Sequence, residues 1–234
     1  MSQKISAEEI STELSKLIDE AQIYEPLLAE RLKVLSSWIR NLSPGKLRSK
    51  KYVLAVLIEV CLISTRWLLL QQADKAIQEQ FLEELDPAER YWTEVLFPAW
   101  FREKDPKLTT WQNKLMVGKF EAKDVKFIKL LRRQIELEGG YSIYQLLVDL
   151  SMATDLIAGN KVGMCLCVQL TTAHKGYLQE KLTEWEKTLR HWDIERGLLV
   201  SYIPNSDGEV RLAKIILSAN DTLGVGQYKM KESN

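Results

Sequence analysis

The chain has little cysteine, histidine or proline and no excess of either charge. Its 234 residues include three cysteines, two histidines and six prolines, with 32 basic residues against 32 acidic ones. Balanced charge argues against a protein broadly coated by nucleic acid or by an anionic membrane, although a local basic groove remains compatible with it. Cys165 and Cys167 lie two residues apart on one predicted strand, so their side chains point the same way. The absence of a CxxC pair argues against a structural zinc site. Unpaired cysteines in apolar surroundings favour a reducing compartment.

Signals for export, for nucleotide binding and for a serine or cysteine nucleophile are also lacking. Residues 1–6 have no apolar signal core, and the sequence contains no glycine-rich phosphate loop and no nucleophile elbow. We therefore expect a cytoplasmic protein. The most apolar stretch, 52–70, is interrupted by Glu59 and Arg66, and a charge near the centre of a bilayer costs roughly 2.5–3.5 kcal/mol. This stretch predicts a buried helix of a bundle, and no membrane partner.

Only helical periods occur in the first part of the chain. Apolar residues recur at helical spacing, and Asp86 followed by Pro87 predicts a new helix start. The most linker-like segment begins at Lys104, so the sequence predicts an all-helical domain over residues 1–104. Its tryptophans are expected to fill a core. The alternative is that they line a groove for a protein partner.

A strongly basic helix opens the second part of the chain. It is predicted from Asp124 to a stop at Gly139-Gly140. Its exposed side carries Lys126, Lys129, Arg132 and Arg133, which are the candidate nucleic-acid-binding residues. A solvated helix face is the alternative explanation of the same pattern.

The hydrophobic period changes after Gly140. We predict strands over 154–158, 162–171, 197–203 and 210–217, a turn at 204–208, and a helix over 173–192, while 141–150 reads as either strand or helix. The polar residues 221–234 are predicted to be a fraying tail. Together these elements predict an α+β or α/β domain over 105–220, a mixed sheet flanked by helices, behind the helical domain.

Chemistry is concentrated on the predicted hairpin. Asp155 lies on its first strand, Gly159-Asn160 reads as a two-residue turn, and the second strand is almost wholly apolar until its end. There Gln169 and Thr171 stand two residues apart, so they share one face of the sheet. A polar pair ending a buried strand, opposite an acid on the neighbouring strand, is a plausible way to build a site.

With these residues the sequence resembles the PD-(D/E)XK, or restriction-endonuclease-like, superfamily over roughly 120–217. In that family a helix precedes a three-stranded meander, and a second helix and a further strand follow. The resemblance implies that Asp155 matches the family aspartate, that Gln169 stands at the position of the second acid, and that Thr171 replaces the lysine. The family carboxylates hold Mg²⁺, which lowers the pKa of a bound water, and the lysine orients or deprotonates that water.

The departures from the family pattern limit what the resemblance implies. Lys175 or Lys181 on the following helix would have to supply the missing positive charge, and Glu138 or Glu136 would match the acid from the preceding helix. The implied catalytic set is Asp155, Gln169, Thr171 and Lys175, and the implied ligands of a weakly held Mg²⁺ are Asp155, Gln169 and Glu138.

Two kinds of function remain after this comparison. The first is a nuclease-like, DNA-associated protein whose metal-dependent phosphodiesterase activity is weak or lost, since Thr171 cannot supply the positive charge of the motif lysine. Whether the chain is an endonuclease stays open at this point. The second is a non-enzymatic protein-interaction or regulatory adaptor that works through its helical part. A homodimer is expected only by analogy with nuclease-like domains.

Overall fold

The computed structural model describes residues 5–120, 125–173, 175–203 and 208–233. The chain divides into two compact units, each formed from two segments. The helical unit consists of Met1–Leu82 with Trp100–Glu121, and the sheet unit of Glu83–Ala99 with Ala122–Asn234. This division differs from the boundary predicted at residue 104, because residues 83–99 belong with the sheet and residues 105–121 belong with the helices.

The element bounds are as follows. Before the first strand come α1 (Ile10–Tyr24), α2 (Pro26–Ile39), α3 (Pro44–Ser49), α4 (Lys51–Gln72), α5 (Lys75–Glu84), α6 (Pro87–Tyr91), a π-helical turn (Trp92–Leu96), α7 (Phe97–Arg102), α8 (Leu108–Met116) and α9 (Val125–Leu137). Then follow β1 (Tyr141–Ile143), α10 (Leu146–Met152), β2 (Leu156–Gly159), β3 (Cys165–Thr171), α11 (Lys175–His191), β4 (Arg196–Tyr202), α12 (Gly208–Thr222) and β5 (Gln227–Ser233).

Helix α4 is the buried centre of the helical unit. Its 22 residues have a mean hydropathy of 2.1 in the most apolar window, which by length and composition alone would suffice to cross a membrane. Most of that window is buried, and Leu57 and Leu68 are fully enclosed. Glu59 is half-buried and Arg66 is exposed, as predicted for a helix whose charges lie at its edge. The helix therefore has the burial of a core helix in a soluble protein.

The tryptophans that the sequence predicted to fill a core are buried: Trp67 and Trp100 in the helical unit and Trp92 in the sheet unit. Trp67 and Phe101 pack with ring centroids 5.8 Å apart, and Trp38 meets Trp111 edge to face at 5.6 Å. The indole nitrogen of Trp111 donates to Asp105 Oδ2 at 3.0 Å. This contact gives the buried Asp105 carboxylate a hydrogen-bond donor.

The sheet unit is built on one five-stranded sheet in the order β1-β2-β3-β4-β5. Strands β1, β2 and β3 form an antiparallel meander, and β3, β4 and β5 run parallel. The crossovers between parallel strands are the helices α11 and α12, as parallel pairing requires. The predicted fold class is confirmed: along the chain, an N-terminal helical region is followed by a mixed sheet flanked by helices.

The two faces of the sheet are covered by different helices. Leu166, Val168 and Leu170 of β3 belong to one core cluster with buried apolar residues of α9 and α12. The alternate residues face the other way, where the Cys165 thiol donates to the carbonyl of Pro87 in α6 at 3.0 Å. On that face Gly197 of β4 lies so close to α11 that an added Cβ would stand 2.4 Å from Leu189 Cδ1. The sheet is therefore enclosed between two helical layers.

Two predictions at the C-terminal end are wrong. Residues 210–217 form part of α12 instead of a strand. The apolar residues of this segment fit both a strand and a helical period, and the buried ones follow the helical period: Leu212, Ala213, Ile216 and Ala219. The predicted polar tail contains β5, which pairs along its whole length with β4. Strand β5 is an edge strand that pairs on one side only, with β4, and exposed charges are common on such strands. The turn predicted at 204–208 lies almost wholly outside the described residues.

The central hairpin differs from the prediction at its turn. Strand β3 begins at Cys165 instead of Val162, and residues 160–164 form a longer connection than the predicted two-residue turn. Asn160 organises it: its backbone N–H donates to the carbonyl of Met164 at 3.0 Å, and its Oδ1 accepts from Met164 N at 3.0 Å. Gly163 supplies a residue with a φ of 85°. The side-chain capping by asparagine therefore sets the length of the loop.

Candidate functional site

The candidate site lies where β2 and β3 separate. The register pairs Leu156 with Val168, and continuing it by one residue sets Asp155 opposite Gln169. Thr171 follows at the last position of β3, beside Ser201 of the parallel strand β4. The structure thus brings together the three residues that the hairpin pattern selected.

Asp155 is a buried carboxylate held against the backbone of β3. It is only 2% exposed, and its Oδ2 accepts from the N–H of Leu170 at 2.6 Å. Its own N–H donates to the carbonyl of Val168 at 2.8 Å. A carboxylate needs such donors when it leaves water. Asp155 therefore fastens the start of β2 to the end of β3 as well as placing a negative charge there.

Gln169 and Thr171 project from the same face of β3 and have different surroundings. Gln169 is half-buried, and among the described residues its Oε1 finds no hydrogen-bond partner. Thr171 is 5% exposed, and its Oγ1 accepts from the N–H of Ala173 at 3.1 Å. A second donor to the same Oγ1 is Lys181 Nζ, at 2.7 Å. An unpaired amide oxygen and an ammonium group consequently lie at neighbouring positions of one strand end.

Lys181 is the lysine whose ammonium group reaches the side chain of Thr171. It belongs to α11, which returns from the end of β3 across the sheet to the start of β4, and it is half-buried. Lys175, the lysine preferred from the sequence, is the first residue of α11, and its side chain lies outside the described part of the chain. Its catalytic role stays a prediction. Lys161 lies beside Gly139 at the other end of the hairpin.

Glu138 is not brought to Asp155. It lines a cavity of about 340 Å³ with Asn160, Lys161 and Asp221, near the loop that joins β2 to β3. Four residues of β2 separate that loop from Asp155, a distance of about 13 Å at 3.3 Å per residue. The physical reason is helix direction: α9 ends where β1 begins, and β1 begins opposite Gly159. Glu136 is exposed two residues earlier, at the same end of α9.

The donor set around Asp155 fits Mg²⁺ incompletely. The described part of the chain contains no group of three His, Cys, Asp or Glu side chains that would hold a metal ion. Asp155 offers one charge, partly engaged by the Leu170 amide, and Gln169 offers a neutral oxygen. Mg²⁺ prefers carboxylate and water oxygens in octahedral geometry. Asp155 and Gln169 therefore do not form a complete ligand set for Mg²⁺.

The nearby thiols are not nucleophiles. Cys167 lies on the same face of β3 as Gln169, and burial raises the pKa of its thiol to about 12. Burial likewise raises the pKa of Cys165 to about 12. At neutral pH both remain protonated, and a protonated thiol is a poor nucleophile and metal ligand.

Three of the four basic side chains predicted on α9 are exposed, and the fourth is half-buried. Lys126, Lys129 and Arg133 are exposed, and their spacing of three and four residues sets them along one stripe. Arg132 is half-buried, and its Nε donates to the carbonyl of Ser142 in β1 at 3.1 Å. Three of the four predicted nucleic-acid-binding side chains thus form one exposed surface, and the fourth fastens α9 to the sheet.

An aromatic stack near the site was not anticipated from the sequence. Phe127 of α9 lies parallel to Tyr202 of β4, with ring centroids 4.9 Å apart and an angle of 2° between the planes. Tyr202 is the last residue of β4, one position after Ser201. The available signal was the change from an apolar strand to Ser-Tyr at its end. The stack places the N-terminal half of α9 near the C-terminal ends of β3 and β4, where Thr171 lies.

The helical unit has one feature that bears on the adaptor prediction. An apolar groove of about 370 Å³ is lined by residues of α4 and α5, including Leu62, Leu69, Ile77 and Phe81. Leu69 is 60% exposed and Ile77 55% exposed. Nothing in the structure shows what would cover this groove, so a protein partner stays a prediction, as does a homodimer.

Comparison of the chain with models of protein families, with curated proteins and with solved structures gives no match.

Proposed function

We propose that the sheet unit is a nuclease-like domain that binds nucleic acid at the edge formed by Asp155, Thr171 and Lys181, with weak or lost metal-dependent hydrolysis. The order of elements supports the proposal. A helix, α9, precedes the antiparallel meander β1-β2-β3, and α11 then leads to β4, which runs parallel to β3. Apart from α10, which lies between β1 and β2, and from α12 and β5, which follow β4, this is the order that the sequence resemblance implies.

The contact of Lys181 with Thr171 is the observation that carries the proposal. The strand lacks the motif lysine, and an ammonium group from α11 lies 2.7 Å from the side chain that replaces it. Positive charge is thus kept at the strand end, next to the buried carboxylate of Asp155. A lysine ammonium binds phosphate as a point charge and needs no fixed approach direction.

The chain's own residues divide the work of binding. Lys181 meets a phosphate oxygen at the strand end, and the hydroxyl of Thr171 holds the ammonium there. Lys126, Lys129 and Arg133 contact phosphates farther along the backbone, because counterion release makes each such contact favourable. Asp155 keeps the two strand ends in register. Base contacts have no part in this scheme, so sequence preference is expected to be weak.

The location that accords with this function is the cytoplasm. All three cysteines are free, and Cys61 and Cys167 are buried. Free thiols persist in reducing compartments, where nucleic acid is also present.

The experiment that tests the proposal compares two lysines of one helix. We expect Lys181→Met to weaken binding of a labelled DNA duplex about tenfold, the scale of one charge-assisted contact. Lys187→Met is the matched control, since Lys187 is exposed and paired with Glu184 at 2.5 Å. Fluorescence anisotropy at fixed salt gives both affinities. Equal affinities of the two variants, or no binding by the natural protein, would overturn the proposal.

A further inference from the structure

A cavity lined by lysines lies on the opposite face of the sheet from Gln169 and Thr171. It has a volume of about 290 Å³ and is formed between α12 and the edge strand β5. Three lysines line it, Lys214, Lys229 and Lys231, together with the hydroxyl residues Ser218 and Thr222. No acidic residue is among the described lining residues.

The backbone explains why these side chains converge. Lys214, Ser218 and Thr222 are spaced four residues apart, so they lie along one side of α12. Lys229 and Lys231 are partners of Leu198 and Val200 in the parallel register. Paired residues of neighbouring strands point to the same face, and Leu198 and Val200 belong to the core under α12. The two lysines of β5 therefore project toward α12.

The charges of this cavity are uncompensated within the described chain. No ion pair joins Lys214, Lys229 or Lys231 to an acidic side chain among the described residues. Three like charges around one cavity repel one another, and an anion of two or more charges removes that repulsion. The floor is apolar, since it includes Leu198 and Leu223, which are 0% and 4% exposed.

We propose that this cavity binds a phosphomonoester, with Lys214, Lys229 and Lys231 on the phosphate oxygens and the Ser218 hydroxyl as a further hydrogen-bond donor. The Thr222 hydroxyl already donates to the Ser218 carbonyl at 2.8 Å and is not counted among the donors. A doubly charged phosphate group matches the cluster of ammonium groups in charge, and its three terminal oxygens accept hydrogen bonds from all of them. The apolar floor leaves room for the carbon skeleton that bears the phosphate. The proposal is independent of the function assigned to the Lys181 edge.

Edge-strand protection is the competing explanation of two of the lysines. Lysines that project inward from an edge strand keep it from pairing with another chain. That role concerns Lys229 and Lys231 alone, whereas a phosphate site also requires Lys214 on the helix. The helix lysine consequently distinguishes the two explanations.

The test is titration calorimetry of the full chain with thymidine 5′-monophosphate and with inorganic phosphate, thymidine being the uncharged control. We expect binding of both phosphates and none of thymidine, with affinity reduced about tenfold by Lys214→Gln and about tenfold by Lys231→Gln. Lys187→Gln is the matched control and should bind as the natural protein does. Circular dichroism checks that each variant is folded.

The source of the phosphate is distinguished by a 5′-phosphorylated oligonucleotide and its 5′-hydroxyl counterpart. Tighter binding of the phosphorylated strand than of the mononucleotide, lost in Lys214→Gln, identifies the end of a nucleic acid strand as the source. Equal affinities for the two identify a free small phosphate ester. Absence of phosphate binding by the natural protein, or undiminished binding by Lys214→Gln, overturns the proposal and leaves the strand lysines as edge protection only.

Discussion

Asp155 joins a structural task to a chemical one. Its carboxylate accepts from the buried N–H of Leu170 at 2.6 Å, and loss of that acceptor leaves the amide unsatisfied. An unsatisfied buried amide costs about 1–3 kcal/mol. Substitution of this residue therefore affects stability, whatever its effect on binding or catalysis.

We accordingly predict that Asp155→Ala lowers the free energy of unfolding by about 1–3 kcal/mol. Asp155→Asn should lower it less, because the amide oxygen still accepts from Leu170. Urea denaturation followed by circular dichroism measures both values. If the two variants lose the same stability, the hydrogen bond to Leu170 does not have the weight assigned to it. Asp155→Asn is consequently the better variant for any activity assay.

The thiols give a second prediction at this scale. Burial raises the pKa of Cys61, Cys165 and Cys167 to about 12 each, from an ordinary value of 9.0. The folded protein keeps these protons while the unfolded chain releases them above pH 9, so stability should fall as pH rises from 9 towards 12. The slope is about 1.4 kcal/mol per pH unit for each thiol.

Ellman titration checks the same burial directly. At pH 8 the native protein should react slowly, and all three thiols should react at once in guanidinium chloride. Rapid reaction of the native protein would show that at least one thiol is accessible and ionised.

The sequence predicted the hairpin residues of the site better than the residues that come from helices. Asp155, Gln169 and Thr171 could be grouped because strand alternation and a single hairpin fix their relative places. Lys181 was one of two lysines suggested on a helix, and only helix phase and tilt decide which one reaches Thr171. Glu138 lies at the loop that joins β2 to β3, because α9 ends where β1 begins, opposite Gly159. A helix that runs into a strand has its end at the start of that strand.

At the scale of elements, the basic residues of α9 fall into two groups, one available for binding and one that holds the helix to the sheet. Lys126, Lys129 and Arg133 are exposed, whereas Arg132 bonds to the backbone of β1. We predict that Lys129→Gln and Arg133→Gln each weaken DNA binding and each reduce the slope of log affinity against log salt by about 0.9. Anisotropy titrations over a range of NaCl concentrations measure this slope.

Arg132→Gln provides the contrasting case on the same helix. It removes the donor to the Ser142 carbonyl, so it should reduce thermal stability and leave the salt slope unchanged. A salt slope that falls equally for the three variants would mean that Arg132 also meets phosphate. A slope unaffected by any of them would show that α9 has only a solvated face.

Elements were predicted well where one period is unambiguous. The helices of the first hundred residues and the strands β2, β3 and β4 follow clear patterns, and these elements are present in the structure. The error at α12 arose because Val210, Leu212 and Ile215-Ile216 fit an alternating as well as a helical period. Strand β5 was missed because an edge strand with exposed Lys229 and Lys231 shows almost no apolar signal.

For the whole molecule, the division into units follows contacts rather than chain order. Residues 83–99 belong to the sheet unit, where α6 lies against the strands: an added Cβ at Gly159 would stand 3.0 Å from Pro87. Residues 100–121 belong to the helical unit, where Trp111 packs on Trp38. The linker-like composition begins at Lys104, whereas the contacts divide the chain after Leu82, after Ala99 and after Glu121. Sequence composition reports local chain properties, and this exchange of segments depends on packing.

The central claim is that the sheet unit binds nucleic acid while its hydrolytic site is incomplete. Asp155 supplies a single carboxylate, and Gln169 supplies a neutral oxygen where the nuclease superfamily that the sequence resembles has an acid. Gln169→Glu restores the second charge and leaves Lys181 as the cation. It is preferable to a combined change with Thr171→Lys, which would put a second ammonium beside the one 2.7 Å from Thr171.

The most direct measurement incubates a labelled DNA duplex with the natural protein in EDTA, in Mg²⁺ and in Mn²⁺. Each sample is read by anisotropy for binding and on a denaturing gel for cleavage. The account predicts a bound duplex in every sample, with little or no cleavage, and faster Mn²⁺-dependent cleavage by Gln169→Glu. Brisk Mg²⁺-dependent cleavage by the natural protein that Asp155→Asn abolishes would contradict the incomplete site, and failure to bind in all three samples would contradict the nucleic-acid function itself.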